Sequence, residues 1–349
     1  MNTQIFKVTD PAAAKEQLES AGKIIRAGGL VVFPTETVYG LGGDGTNPDA
    51  AAKIYAAKGR PSDNPLIIHI ENPADAALYA YTTPLYDALA AAFMPGPLTV
   101  IMPKRDNVPA SVTGGLDSVA VRCPSHPVAQ ALIRAAGTCV AAPSANLSGK
   151  PSPTDASHVV QDLSGKVDVI IDGGECEIGL ESTIVKILED DQGQPYLTLL
   201  RPGAITYDAL CCVCPHVEIA PAVAGKLAEN ERPLSPGMKY RHYAPTAPLV
   251  LLDGEDGDVL AFLQNEQKSR ACTVLCYDEE IAHLSGGALV PVGGKNDLEA
   301  QAKRLFAALR EADATGAEII YAHLPPMQGL GLALYNRMIR AAAHTVLKI

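Results

Sequence analysis

Lys58 and Arg60 stand two residues apart in "KGRPSDNP", at the end of a helical stretch and ahead of two prolines that hold the turn. Two cations in a braced turn can grip a polyanion, although at a helix end they also compensate the dipole. "APSANLSGKPSPT" adds Ser144, Asn146, Ser148 and Ser152 in a proline-braced loop after a strand, where α/β proteins place ligands. Two further segments carry polar groups that folding does not require. They are "PTETVYG", with Thr35, Glu36, Thr37 and Tyr39, and "GLESTI", with Glu181, Ser182 and Thr183. His69 falls inside an apolar strand, and Arg122 interrupts "VAVRCP". One such residue is usually a satisfied structural group; several in one region point to a site.

"SPGMKYRHYAP", residues 235 to 245, raises a similar question. A plain linker has no need of Lys239, Arg241 and His242 interleaved with Tyr240 and Tyr243, so this segment is expected to meet something anionic.

Several familiar chemistries are disfavoured. No Gly-Lys pair is followed by Ser or Thr, which argues against a P-loop, and the kinase motifs are missing. "GLGGDG", Gly40 to Gly45, satisfies the dinucleotide-binding glycine pattern. However, "PTETVYG" separates it from the preceding strand and no clear ribose carboxylate follows, so a glycine turn is expected there instead. Of eight cysteines only "CCVCPH", Cys211 to His216, is clustered. Paired Cys-x-x-Cys halves are absent, and a reduced thiol cluster is expected rather than a zinc site.

The elements that must position these groups alternate. "AAAKEQLESAGKIIRAGG" reads as an amphipathic helix closed by Gly28 and Gly29, "LVVF" as a buried strand, and "NPDAAAKIYAAKGR" as a helix capped by Asn47. "NPLIIHI", "GPLTVIM", "DSVAVRCP" and "TCVAAPSAN" are strands among the helices "PLYDALAAAF" and "HPVAQALIRAAG". The alternation predicts a layered α/β sheet. Beyond Val167 the pattern is richer in strands, and beyond Pro248 "LVLLDG", "CTVLCYD" and "GALVPVGG" with intervening helices predict a small parallel α/β unit.

At 349 residues two domains are expected. The boundaries read from the pattern are a first domain over 1–214, a connector over 215–247 and a second domain over 248–349. Net charge is −11, divided as −8, +1 and −4 over those three segments. So acidic a chain is a poor nucleic-acid coat, and any anion binding must be local. No apolar run approaches the ~20 residues that span a bilayer. "MNTQIFKVTD" lacks a signal pattern, so no membrane association and a cytoplasmic location are expected.

Taken in order, "FPTETVYGLG", "KGRPSDNPL", "PGPLTV", "VAVRCP", "APSANLSGKPSPT", "GLESTI", "LRPG" and "SPGMKYRHYAP" resemble the threonylcarbamoyl-AMP synthase family, the YrdC-like synthases, in its long two-domain form. The likeness runs from about residue 20 to "GLGLALYNRMIRAA" near the end. It implies a YrdC-like twisted open mixed sheet with helices, followed by a smaller Rossmann-like parallel α/β domain. The implied activity is synthesis of L-threonylcarbamoyladenylate and pyrophosphate from L-threonine, bicarbonate and ATP, for the t6A modification of tRNA. By the same resemblance Lys58 and Arg60 are catalytic, and they line the ATP site with Asn64, Ser118, Ser144, Asn146, Ser152, Arg201, Arg241 and Tyr243. Thr35, Thr37, His69, Arg122, Ala142 and Ser182 would surround threonine, with the Arg122 fork on its carboxylate. Mg2+ would travel with ATP or pyrophosphate rather than in a protein site. The connector would be an active-site lid, and the partners a downstream tRNA threonylcarbamoyl transferase machinery and, weakly, tRNA. The competing reading is an RNA-binding module with a regulatory nucleotide site, which the acidic first segment disfavours.

Overall fold

A computed structural model describes residues 2–225 and 243–349. The first part of the chain runs through β1 (Gln4–Lys7), α1 (Lys15–Arg26), β2 (Val31–Phe33), β3 (Gly40–Asp44), α2 (Pro48–Lys58), β4 (Ile67–His69), α3 (Pro84–Phe93) and β5 (Leu98–Pro103). It continues with β6 (Ser118–Arg122), α4 (Pro127–Ala136), β7 (Val140–Ala142), α5 (Ala156–Leu163), β8 (Val169–Asp172), β9 (Thr183–Glu189), β10 (Pro195–Arg201), α6 (Tyr207–Cys211) and β11 (Val217–Ile219). Among the described residues these strands form one 11-stranded mixed sheet, in the order β1-β8-β2-β3-β7-β4-β6-β5-β9-β10-β11.

Both faces of the sheet are covered, which explains the unbroken apolar runs of its inner strands. Along β2, Val31 and Phe33 join a core with Ile25 and Leu132, while Val32 points into the opposite core with Ile54 and Ile68. β8 divides in the same way, Val169 and Ile171 to one side and Ile170 to the other.

"GLGGDG" is mostly strand. β3 lies antiparallel between β2 and β7, where a Cβ on Gly42 would come within 2.7 Å of Val140 and 2.8 Å of Phe33. Its glycines admit neighbouring side chains to the sheet, and the glycine turn expected from the sequence does not form over β3. The clustered cysteines are free thiols, Cys214 donating to the His216 carbonyl at 3.2 Å.

The second part contains β12 (Leu249–Asp253), α7 (Asp256–Ser269), β13 (Cys272–Cys276), β14 (Ala288–Pro291), α8 (Leu298–Ala314), β15 (Ile319–His323), α9 (Gly331–Ala341) and β16 (Val346–Lys348). Its five strands are all parallel, in the order β14-β13-β15-β12-β16. The described residues divide into two compact units, the first comprising 2–148, 153–177 and 181–225, the second 149–152, 178–180 and 243–349. Of the stretch read as a connector, 226–242 lie outside the described residues. Val217–Ile219 before them is β11, hydrogen-bonded in parallel to β10.

Candidate active site

Lys58 is the last residue of α2. The helix starts where the Asn47 side chain accepts from the Asp49 amide and ends at Gly59, whose φ of 63° suits a residue without a Cβ. That stop aims the buried Lys58 ammonium into the loop after β7. Nζ donates to the carbonyl oxygens of Ser144 and Asn146, the latter at 2.7 Å, and to Asn146 Oδ1 at 3.3 Å. Ser144 Oγ donates to the same Oδ1 at 2.6 Å. The Ser148 amide returns a bond of 2.9 Å to the Lys58 carbonyl. Arg60 braces its own turn, Nη2 donating to the carbonyls of Asn64 at 3.1 Å and Pro65 at 2.9 Å. Asn64 Oδ1 is buried with no hydrogen-bond partner among the described residues.

A second cluster is built by strand register. β4 and β6 are parallel with His69 opposite Arg122, and β6 and β5 antiparallel with Arg122 opposite Thr99. The three side chains form one row across neighbouring strands, on the same face of the sheet. Thr99 Oγ1 lies 2.8 Å from Oγ of Ser182, the residue before β9. Arg201 ends β10 and donates from Nε to the Ser182 carbonyl and from Nη2 to Ser182 Oγ, both at 3.0 Å. The loop after β2 meets this row through Glu36 and Arg122. There Thr35 Oγ1 meets Thr37 Oγ1 at 2.8 Å and donates to the Val38 carbonyl at 2.7 Å.

Glu36 closes this cluster. Its Oε1 accepts from Arg122 Nη2 at 2.7 Å, and both side chains are about 95% buried, with 4% and 5% of their surface exposed. Glu36 Oε2 and Arg122 Nε have no hydrogen-bond partner among the described residues. Burial pushes the Glu36 carboxyl up. The Arg122 charge and hydrogen bond, with neighbouring backbone amides of Glu36 and Ser125, outweigh that and hold it below the usual carboxylate range. Burial, then the Arg122 charge, lowers His69 to about 3, so at neutral pH it is an uncharged imidazole whose Nδ1 lies 3.2 Å from the Val140 carbonyl. The nearby thiols are not nucleophiles: burial pushes Cys123 up to about 12 and raises Cys176 as well.

The structure thus joins Lys58, Ser144 and Asn146 in one hydrogen-bonded group, and brings His69, Arg122, Ser182 and Arg201 together with the Thr35–Thr37 loop. Arg201, assigned to ATP, bonds to Ser182, assigned to threonine. Ser118 opens β6 and Arg122 closes it, so the two lie ~13 Å apart along the strand. Ala142 closes β7, buried opposite Ile67. Ser152 is fully buried and groups with the second unit. So does Tyr243, whose ring packs 5.1 Å from that of Phe306. Arg241 lies outside the described residues. Sequence reading gave no role to Glu36 or Thr99. Glu36 stood in view among the polar residues of "PTETVYG", whereas Thr99 carries only the weak signal of one hydroxyl in an apolar strand. Among the described residues no group of three or more His, Cys, Asp or Glu side chains could hold a metal ion. No helix there is long and apolar enough to cross a membrane.

The family described as "Telomere recombination" (Sua5, YciO, YrdC) matches residues 23–203, and the "Threonylcarbamoyl-AMP synthase, C-terminal domain" matches 205–343. A threonylcarbamoyl-AMP synthase of Bacillus subtilis is 43% identical over 98% of this chain and 97% of its own. The chain belongs to the threonylcarbamoyl-AMP synthase family. A Pyrococcus abyssi synthase is 41% identical over 95% of this chain and 96% of its own. The P. abyssi Sua5 structure in complex with L-threonine superposes with a TM-score of 0.89, at 39% identity, over 100% of both chains. Both domains of the long form of the family are therefore present here, and the mixed and parallel sheets are those of Sua5 structures.

Proposed function

We propose that the chain is an L-threonylcarbamoyladenylate synthase and, by reaction class, a nucleotidyltransferase. The threonine ammonium first gives up a proton to solvent; the free amine then attacks carbon dioxide derived from bicarbonate, an N–C bond forms as a C=O π pair moves to oxygen, and the nitrogen loses a second proton to leave the carbamate. A carbamate oxygen then attacks the α-phosphorus of ATP; the bond from that phosphorus to the bridging oxygen breaks, and pyrophosphate leaves. Neither step needs a protein nucleophile, in keeping with thiols held protonated by burial. What the protein must supply is position and fixed charge. The observation that carries the reading is the buried row of His69, Arg122 and Thr99 with Ser182 and the Thr35–Thr37 loop, which gathers hydroxyls and an imidazole around the Arg122 guanidinium, a group suited to a carboxylate. Lys58 and Arg60 serve the phosphates, and Mg2+ enters as part of the MgATP substrate.

The product is a hydrolysable mixed anhydride, so its consumer is an enzyme that transfers the threonylcarbamoyl group to tRNA. A cytoplasmic location belongs to this reading. The lid role of the connector rests on "KYRHYAP" and predicts that ATP with threonine slows proteolysis between Glu231 and Pro248. The deciding experiment incubates the chain with threonine, bicarbonate and ATP and measures pyrophosphate and a threonine-containing adenylate. Absence of both products defeats the proposal, and an RNA-binding module would make neither.

A further inference from the structure

Glu36 presents a physical problem that the roles above leave unsolved. One carboxylate oxygen is paired with Arg122 at 2.7 Å; the backbone amides of Glu36 and Ser125 lie near enough to favour the charged carboxyl, but the second oxygen is buried with no hydrogen bond of good geometry among the described residues. A buried acceptor left without a donor is destabilising, and more so when it carries charge. The carboxyl is nevertheless held in its charged form, and its field reaches His69, Cys123, His126 and Cys176. Arg122 shows the matching incompleteness, since its Nε is also buried and unpartnered. The pair therefore offers one anionic acceptor and one cationic donor, side by side, among the neutral hydroxyls of Thr35 and Thr37 and an uncharged His69, while the second guanidinium of the cluster, Arg201, is engaged with Ser182.

We propose that Glu36 is a binding residue for the α-ammonium group of the amino-acid substrate. Oε2 accepts from the ammonium while Arg122 holds the carboxylate. This rests on the threonine-site reading given above. The exchange is electrically balanced, because a neutral zwitterion meets a neutral ion pair and each charge gains the opposite one. It also gives the buried pair a use beyond stability, which such pairs rarely improve over apolar packing. A carboxylate and a guanidinium that are hydrogen-bonded to each other form a rigid two-point clamp, fixing where the amine nitrogen sits relative to the carboxylate it is bound with. Selection of an α-amino acid over its α-hydroxy counterpart then follows from Glu36.

The test is calorimetric binding to the full chain, with Mg2+ and a non-hydrolysable ATP analogue present. L-Threonine is compared with its hydroxy acid, (2S,3R)-2,3-dihydroxybutanoate, which keeps the carboxylate, the β-hydroxyl and the methyl. Wild type should prefer threonine by about tenfold or more, the scale of one charge-assisted hydrogen bond. Glu36→Gln is expected to weaken threonine by about that factor while changing the hydroxy acid by less than about threefold, so that the preference collapses. Glu36 acting only by orienting Arg122 would instead weaken both ligands equally, and that result overturns the proposal, as does unchanged threonine binding. Nucleotide affinity and a cooperative melt in the same samples report folding. Should Glu36→Gln fail to fold, Glu36→Asp decides the matter. It keeps the charge but shortens its reach, and an undiminished preference for threonine over the hydroxy acid rejects the assignment. A wild type that binds no threonine defeats the threonine-site reading and this proposal with it. Loss confined to the variants is a separate result that leaves that reading standing.

Discussion

Arg201 Nη2 donates to Ser182 Oγ at 3.0 Å, and Arg201 Nε donates to the carbonyl of the same residue at 3.0 Å. One guanidinium thus holds the main chain and side chain of a residue assigned to threonine, although Arg201 itself was assigned to the nucleotide. We expect Arg201→Ala to lower kcat/KM for threonine and for ATP together, by about two orders of magnitude, the usual cost of losing a fixed cation near developing charge. Steady-state kinetics with each substrate varied in turn check this. An effect on ATP alone would show that the Ser182 contact has no functional weight.

Lys58→Ala removes an ammonium that ties the loop after β7 through Ser144 and Asn146. Adenylate formation should fall by about 10² or more, and melting should change by less than the rate does. Pyrophosphate release and a thermal melt on the same preparation separate the two effects.

Thr99→Val keeps the shape of a buried strand residue but deletes the hydroxyl 2.8 Å from Ser182 Oγ. Stability should drop by about 1 to 2 kcal/mol, and the KM for threonine should rise several-fold with the KM for ATP little changed. Chemical denaturation together with substrate titrations tests both halves.

Gly203, in "LRPG", has no room for a methyl group. A Cβ there would stand 2.6 Å from the Thr183 amide and 2.7 Å from its Oγ1. Thr183 Oγ1 also donates to the Ile205 carbonyl at 2.7 Å, so the clash falls on a bonded turn directly after Ser182. Gly203→Ala should destabilise the protein by about 1 to 3 kcal/mol and weaken threonine binding. A melt and a threonine titration matching wild type would contradict the packing described.

Burial holds His69 neutral, with a folded-state value of about 3 against an ordinary 6.5. Between those values the unfolded chain binds the additional proton, so stability is full above about pH 6.5 and declines as the pH falls toward 3. Glu36 shifts in the same direction, but from 4.5 downwards. Between pH 6.5 and 4.5 the acid sensitivity therefore reports His69 together with His126, which burial also lowers. His69→Gln should flatten the melting-temperature profile of the unliganded protein across that window. A profile as steep as wild type would place the buried proton-sensitive group elsewhere.

Much of this protein is determined by short-range sequence. The Asn47 cap and Gly59 stop define α2, and with it the position of Lys58, because caps and left-handed glycines act on the backbone beside them. The run "LVVF" marked a buried strand, and the motif order marked the family and both domains. What local pattern could not express was register. Thr99 reads as one more residue of an apolar strand until β5, β6 and β4 align it with Arg122 and His69, residues 23 and 30 positions away in sequence. The glycines of β3 likewise looked like a ligand turn. Only the approach of Phe33 and Val140 shows that they exist to let strands pack. Glu36 stood among visible polar residues, but its pairing with Arg122, and the buried oxygen left over, depend on a loop after β2 meeting the end of β6. A hydrogen bond across 86 residues is decided by how the whole sheet is ordered, and strand order is a property of the tertiary fold rather than of any stretch of chain.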